Sequence, residues 1–105
     1  MPSSENYLEF ILEQLSHLGD ITYRKMMGEY ILYYKGKIVG GIYDNRLLVK
    51  PTKTAVAYMP EVIYETPYDG AKEMLLVGEI ENKDFLSDLF NAMYDELPAT
   101  KPNKQ

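Results

Sequence analysis

Side chains capable of catalysis are scarce in this sequence, and none of them occurs in a spacing that a reaction requires. His17 is the only histidine, and a histidine that acts as a general base needs a positioned partner. The serines lack the GxSxG context of a hydrolase nucleophile. Carboxylates are plentiful, but pairs such as Asp95 and Glu96 are expected to lie on solvated helix faces. We therefore predict no catalytic residues and no enzymatic activity.

The residues that commonly hold metals or cofactors are also missing or lie outside useful patterns. The 105-residue chain has no cysteine, which excludes a thiolate nucleophile, a disulfide and a cysteine-ligated zinc site. Gly36, Gly40 and Gly41 do not match a phosphate-binding loop, and a strand follows them where such a loop needs a helix. We predict no metal and no cofactor. Gly36 is expected to form a turn, and Gly40 and Gly41 to allow close approach in a central strand.

The chain is acidic, with a formal net charge of −5 and a pI of about 4.8. Domains that bind duplex DNA usually carry a basic face, so we predict no direct binding to nucleic acid. The N-terminus has no basic region followed by an apolar stretch, and no run approaches the roughly 20 apolar residues of a membrane span. We expect a cytoplasmic protein that does not enter a membrane.

The run from Met26 to Lys50 predicts three strands joined by two short turns. The pairs Lys35-Gly36 and Asp44-Asn45 tolerate positive φ, as two-residue hairpin turns require. This register pairs Ile31 with Gly40 and sorts the side chains onto two faces. One face is almost wholly apolar and is predicted to face the core: Ile31, Tyr33, Ile38, Gly40, Ile42, Leu47 and Val49. The second face carries Tyr30, Leu32, Tyr34, Val39, Gly41, Tyr43, Arg46, Leu48 and Lys50.

The second, tyrosine-rich face has two interpretations, and the sequence leaves both open. In one, helices cover both sides of the sheet and these side chains are part of the core. In the other, the face stays open and contacts a partner or a second copy of the chain, since tyrosine and arginine are enriched at interface hot spots.

The remainder of the chain predicts helices and two more strands. Apolar side chains recur at helical spacing near both ends, with Ser4 and Asn82 as N-caps. The predicted segments are a helix over 5–18, a short helix over 53–59 capped by Thr52, strands over 62–65 and 74–77, a loop over 66–72, and a terminal helix that ends at Pro98. The fold class is therefore α+β, a two-layer domain over 1–97 with an antiparallel five-stranded sheet in the order α-β-β-β-α-β-β-α. Residues 98–105 are predicted to be a disordered tail.

The sequence from Asp20 to Thr52 resembles the N-terminal domain of the TfoX/Sxy family, which is named for regulators of natural competence genes. The resemblance extends over roughly residues 5–97. The residues that carry it are Arg24, Met26, Met27, Gly28, Tyr30, Lys35-Gly36, Gly41, 44–50, Tyr68 and Gly70-Ala71.

The resemblance implies the same fold order and a non-enzymatic role. The competence regulators are thought to act with the cyclic-AMP receptor protein at promoters, and they carry a second, helical domain. We expect this chain to be a stand-alone domain of the family that acts as an accessory of a transcription regulator. Its partner is expected to be a transcription factor such as the cyclic-AMP receptor protein, or a second copy in a homodimer.

The residues predicted to form the interaction surface come from the tyrosine-rich face, the segment before it and a later loop. They are Arg24, Gly28, Tyr30, Tyr34, Tyr43, Arg46, Lys50 and Tyr68. The alternative function is a small-molecule-binding domain or enzyme, with a site between Arg24, Lys25 and Gly28 on one side and the loop Tyr68-Asp69-Gly70 on the other.

Overall fold

The computed structural model describes residues 3–99, which form one antiparallel sheet covered on one side by helices. The elements are α1 (Glu5–Gln14), β1 (Ile21–Met26), β2 (Glu29–Tyr34), β3 (Lys37–Ile42), β4 (Leu47–Val49), α2 (Lys53–Tyr58), β5 (Tyr64–Glu65), β6 (Met74–Leu76), α3 (Lys83–Met93) and a 3₁₀ turn (Tyr94–Glu96). The strand order across the sheet is β1-β2-β3-β4-β6-β5. This confirms the α+β class and the antiparallel sheet. The predicted disordered tail lies outside the described residues from position 100 onward.

The helices begin where the sequence predicts them. The side chains of Ser4, Thr52 and Asn82 each accept a hydrogen bond from the backbone N–H three residues later, at 3.0–3.1 Å. Such bonds satisfy N–H groups that the first turn of a helix leaves unpaired. The first helix is shorter than predicted: α1 ends at Gln14, and turns lead to Gly19, which has φ 64°.

The sheet has six strands instead of the predicted five, because residues 21–26 form β1. Met27 and Gly28 have φ 53° and 85°, so they form a two-residue turn between β1 and β2. No element was predicted for residues 19–25, between the helix over 5–18 and the run from Met26 to Lys50. Five of the six β1 residues are exposed, which is consistent with a charged edge strand.

A β-bulge corrects the predicted register between β2 and β3. Both predicted turns are present, and Tyr33 pairs with Ile38 as expected. Beyond that pair the register shifts by one residue at Val39, so that Ile31 pairs with Gly41 and not with Gly40. A bulge adds one residue to one strand, and a slip of one residue exchanges the faces of everything beyond it.

The bulge puts a different set of β2 side chains into the core. Tyr30, Leu32 and Tyr34 are 3%, 0% and 2% exposed, whereas Ile31 and Tyr33 are only half-buried. The predicted core face is therefore wrong for β2 and Ile38 but right for Ile42, Leu47 and Val49. The core also contains residues from all three helices and from the turn after α1: Leu8, Ile11, Leu15, Ala55, Leu86, Leu89, Phe90 and Met93. All helices thus pack on the side that carries Tyr30 and Tyr34.

The predicted close approach at the paired glycines is confirmed. A Cβ added to Gly40 would lie 2.7 Å from the Cα of Val49, and one added to Gly41 would lie 2.6 Å from the carbonyl oxygen of Tyr30. Both separations are well below ordinary contact distances, so the adjacent strands leave no room for a side chain.

The segment after α3 is attached to the first turn of α2 by Glu96. Its carboxylate accepts hydrogen bonds from the Thr54 hydroxyl and from the Thr54 N–H, the latter at 3.0 Å. These two bonds hold the pKa of Glu96 below its ordinary value because they favour the ionised form, and the bond from the Thr54 hydroxyl has the larger effect.

We expect Glu96→Gln to lower the melting temperature at neutral pH, and we expect that loss to shrink on acidification. A carboxylate whose pKa is lowered in the folded state stabilises the fold at pH values above the ordinary glutamate pKa. This stabilisation is lost as the pH falls through the lowered, folded-state pKa. Thermal unfolding of both proteins at neutral and strongly acidic pH measures the difference. The exposed Glu61→Gln is the control. An equal loss at both pH values would show that the charge of Glu96 plays no part.

Candidate interaction surface

The side of the sheet away from the helices extends across five strands. The register places Arg24 beside Ile31, Ile31 beside Gly41, Gly41 beside Leu48 and Leu48 beside Leu76. We call this side the open face. Its residues are Arg24, Ile31, Tyr33, Ile38, Gly41, Tyr43, Leu48 and Leu76. Within residues 3–99, none of them belongs to the core cluster that the helices share, although Leu48 is completely buried and Gly41 is covered by the Tyr43 ring.

Tyr43 is the centre of the open face. Its ring covers Gly41, where an added Cβ would lie 2.6 Å from Tyr43 Cε2. The ring of Tyr68 follows at 6.3 Å between centroids, and Tyr68 is 63% exposed. Burial raises the pKa of the Tyr43 hydroxyl, and Tyr68, Glu29 and Tyr33 act in the same direction. The phenol is therefore protonated near neutral pH, where it can donate a hydrogen bond to a bound group.

Arg46 supports the open face instead of offering a free cation. Its guanidinium donates to the Tyr43 carbonyl at 3.0 Å and to the Thr66 carbonyl at 3.2 Å, and it forms an ion pair with Glu65. These bonds connect the turn after β3 to β5 and to the loop that carries Tyr68. Arg46 thus positions the tyrosine pair.

The turn that contains Gly28 is held by the N-terminal residues. Ser3 N donates to the Gly28 carbonyl at 3.0 Å, and Ser3 Oγ donates to Glu29 Oε1 at 2.8 Å. The same carboxylate oxygen accepts from Asp44 N at 3.1 Å, and Asn45 N donates to Ser3 Oγ at 3.0 Å. Two hairpin turns and the start of α1 therefore share one hydrogen-bond network. Gly28 has a structural role in this network.

Two residues of the predicted interaction surface lie in the core. Tyr30 and Tyr34 are almost completely buried beneath the helices, so the folded domain cannot present them to a partner. Tyr33, which was predicted to face the core, takes their place on the open face. The bulge at Val39 causes this exchange. The paired glycines at 40 and 41 were the signal for it, since glycine inside a strand often marks a bulge.

The other predicted surface residues differ in how far they are exposed to solvent. Arg24 is exposed on β1, Tyr43 is half-buried and Tyr68 is exposed. Lys50 directly follows β4, is half-buried, and donates its N–H to the Val39 carbonyl at 3.0 Å. The structure thus brings Tyr43 and Tyr68 into contact and places Arg24 on the same open face.

The residues of the alternative small-molecule site are distributed over separate elements. Arg24 lies on β1, at one edge of the sheet, while Tyr68 follows β5, at the other. A surface cavity of about 930 Å³ lies elsewhere, between His17 and residues 78–84.

Within the described chain, no helix has the length and apolar character that crossing a membrane requires.

Comparisons with known proteins agree with the sequence resemblance. The TfoX N-terminal domain profile matches residues 13–87, from the end of α1 into α3. A protein of Spirochaeta aurantia, described as an uncharacterized 12.7 kDa protein in the trpE 5′ region, is 32% identical to this chain over 105 residues. That similarity covers 99% of this chain and 91% of the spirochaete protein. No solved structure matches the chain significantly.

Proposed function

We propose that this chain, which belongs to the TfoX N-terminal domain family, is a non-enzymatic module that binds a partner protein through its open face. The observation that carries the proposal is the combination of Tyr43, Tyr68 and Tyr33 on a sheet face outside the helix-covered core. Tyrosine provides apolar contact area and a polar hydroxyl, and it is enriched at interface hot spots.

The partner that we propose is a transcription regulator of the cyclic-AMP receptor type, with a second copy of the chain as the alternative. The family resemblance supports the first choice. The acidic net charge of −5 supports a role beside a DNA-binding protein over direct DNA contact. In this role the domain acts as an accessory, and its binding energy comes from aromatic side chains.

A photo-crosslinking experiment tests the open face. The natural chain has no cysteine, so a single introduced cysteine provides one labelling position. Tyr33→Cys places a benzophenone label on the open face, and the exposed Ala92→Cys places the same label on α3, on the helical side. We expect adducts with purified cyclic-AMP receptor protein, or between two copies of the chain, from the Tyr33 label and not from the Ala92 label.

The unlabelled double variant Tyr43→Ala plus Tyr68→Ala provides an independent measure. Two hot-spot tyrosines should together account for at least about tenfold in affinity, so this variant should compete poorly for the adduct. Circular dichroism verifies that it remains folded. Equal labelling from both positions, no adduct from either, or undiminished competition by the double variant would each contradict the proposal.

A further inference from the structure

The outer edge of β1 has a row of unpaired backbone groups. Lys35 N donates to the Asp20 carbonyl at 3.0 Å, which continues the β1–β2 ladder and shows that the even-numbered residues of β1 bond to β2. The N–H and C=O groups of Ile21, Tyr23 and Lys25 therefore point away from the sheet. Within residues 3–99 no hydrogen bond engages them. These outward N–H and C=O groups repeat about every 7 Å along β1, and another strand can pair with them.

The two edges of the sheet differ in their capacity to accept another strand. β5, at the far edge, has two residues, and very short edge strands are one way in which proteins prevent unwanted pairing. β1 has six residues and lacks proline and glycine. Strand addition of the kind used by peptide-binding domains is therefore available at β1.

A groove between β1 and α1 runs beside this edge. Two cavities of about 520 and 350 Å³ lie along it and share Leu12 and Tyr23 as lining residues. Leu15 and Ile21 line the first cavity, and Leu8 lines the second. An added strand directs every second side chain towards the helical side of the sheet. Two apolar side chains of such a strand would enter these cavities.

The charges of β1 indicate the chemistry of the added strand. Arg24 and Lys25 are exposed, form no ion pair within the described part of the chain, and have no acidic neighbour on β1. Arg24 points to the side away from α1, while Lys25 lies in the second cavity beside Glu5 and Glu9. Acidic side chains are therefore favoured on the Arg24 side and apolar ones on the α1 side. A second copy of β1 would bring two further cations to this edge.

We propose that the free edge of β1 binds an extended acidic segment of a partner protein, in which apolar residues alternate with aspartate or glutamate. The segment continues the sheet by pairing with Ile21, Tyr23 and Lys25. Its apolar side chains enter the groove under α1, and its carboxylates lie beside Arg24. This site is separate from the centre of the open face at Tyr43, so it extends the proposed function without depending on it.

A synthetic probe tests the site: a fluorescent peptide of about eight residues in which leucine alternates with glutamate, long enough to span β1. We expect saturable binding by fluorescence anisotropy, with amide shifts in NMR spectra centred on Ile21, Tyr23 and Lys25. A leucine–lysine peptide should bind at least about tenfold more weakly because its cations would lie beside Arg24. The leucine–glutamate peptide with N-methyl groups on its bonding edge should lose binding.

Variants separate strand pairing from nonspecific attraction. Tyr23→Pro removes an outward N–H while Thr22 and Arg24 keep their bonds to β2, and Tyr23→Ala controls for the lost ring. We expect only the proline variant to abolish binding. Arg24→Glu should exchange the preference between the two peptides, and it provides the test if Tyr23→Pro does not fold. The variant Tyr43→Ala plus Tyr68→Ala should bind the peptide normally, whatever its effect on the open-face partner.

The opposing outcomes are distinct. Undiminished binding by folded Tyr23→Pro, an unchanged preference in Arg24→Glu, or amide shifts centred on Tyr33 and Tyr43 would each overturn the proposal. Sedimentation that shows a dimer of the natural chain and a monomer of Tyr23→Pro would assign the edge to a second copy, which would also overturn it.

Discussion

Tyr34→Ala is expected to destabilise the domain by about 3–5 kcal/mol, the range found when a large buried ring is removed from a core. Tyr34 is 2% exposed, and its ring lies 6.3 Å from that of Phe90 and 5.7 Å from that of Tyr94, measured between centroids. Its hydroxyl donates to Asn91 Oδ1. The alanine variant loses these contacts and leaves a cavity between β2 and α3. For a domain of this size, that is a large part of the total stability.

Two further variants separate the contributions and test the bulge. Tyr34→Phe keeps the ring and removes only the hydrogen bond, so we expect a loss of about 1 kcal/mol. Tyr43→Ala, on the open face, should cost less than Tyr34→Ala because Tyr43 is half-buried and outside the core cluster. Urea unfolding of the three variants measures the order. The reverse order, with Tyr43→Ala the more damaging, would mean that the faces of β2 are assigned incorrectly.

Local chemistry explains which parts of the fold could be predicted. A two-residue turn depends on the φ preferences of its own residues, and Lys35-Gly36 and Asp44-Asn45 all have positive φ in the structure. A helix cap depends on one side chain and an N–H group three residues away, as at Ser4 and Asn82. Such features need no knowledge of the rest of the molecule, and all of those predicted are present.

The register of β2 and β3 could not be derived in the same way. A two-residue turn sets the pairs next to it, and Tyr33–Ile38 follows that rule. Further along, packing under α1 and α3 determines which face is buried, and the sequence assigns apolar residues to both faces of β2. The bulge at Val39 resolves this by directing Tyr30 and Tyr34 inward. It is a tertiary effect, visible in the sequence only as the adjacent glycines.

The structure brings some residues of the predicted interaction surface together and buries others, again because of the bulge. Tyr43 and Tyr68, both predicted for that surface, have ring centroids 6.3 Å apart. Each lies near a turn or loop, beyond the register shift. Tyr33 was missed because it lies on the other side of the bulge. β1 was not predicted because five of its six residues are exposed, so burial imposes no alternation of apolar and polar residues that the sequence could show.

Gly40→Ala is the second substitution with a large expected effect, a loss of about 3 kcal/mol or more, because overpacking here is against backbone. The added Cβ would overlap the Leu48 carbonyl oxygen and lie 2.7 Å from Val49 Cα. Neither atom belongs to a flexible side chain, so β3 and β4 must separate and their hydrogen bonds must lengthen. The position lies at the end of the bulge, where separation would also allow the register of β2 to change.

Gly78→Ala is the matched control, since an added Cβ there meets no atom within 4 Å. We expect it to change stability by less than about 0.5 kcal/mol. Gly41→Ala should cause a loss of stability between those of Gly40→Ala and Gly78→Ala. The new Cβ would press on the Tyr30 carbonyl and on the Tyr43 ring, and it would displace that ring from the centre of the open face. Denaturant unfolding measures all three variants, and a Gly40→Ala protein as stable as Gly78→Ala would contradict the pairing of Gly40 with Val49. Because Gly41 positions Tyr43, its substitution should also weaken partner binding beyond what the stability loss explains. The two glycines therefore connect the register of the sheet to the surface that it presents.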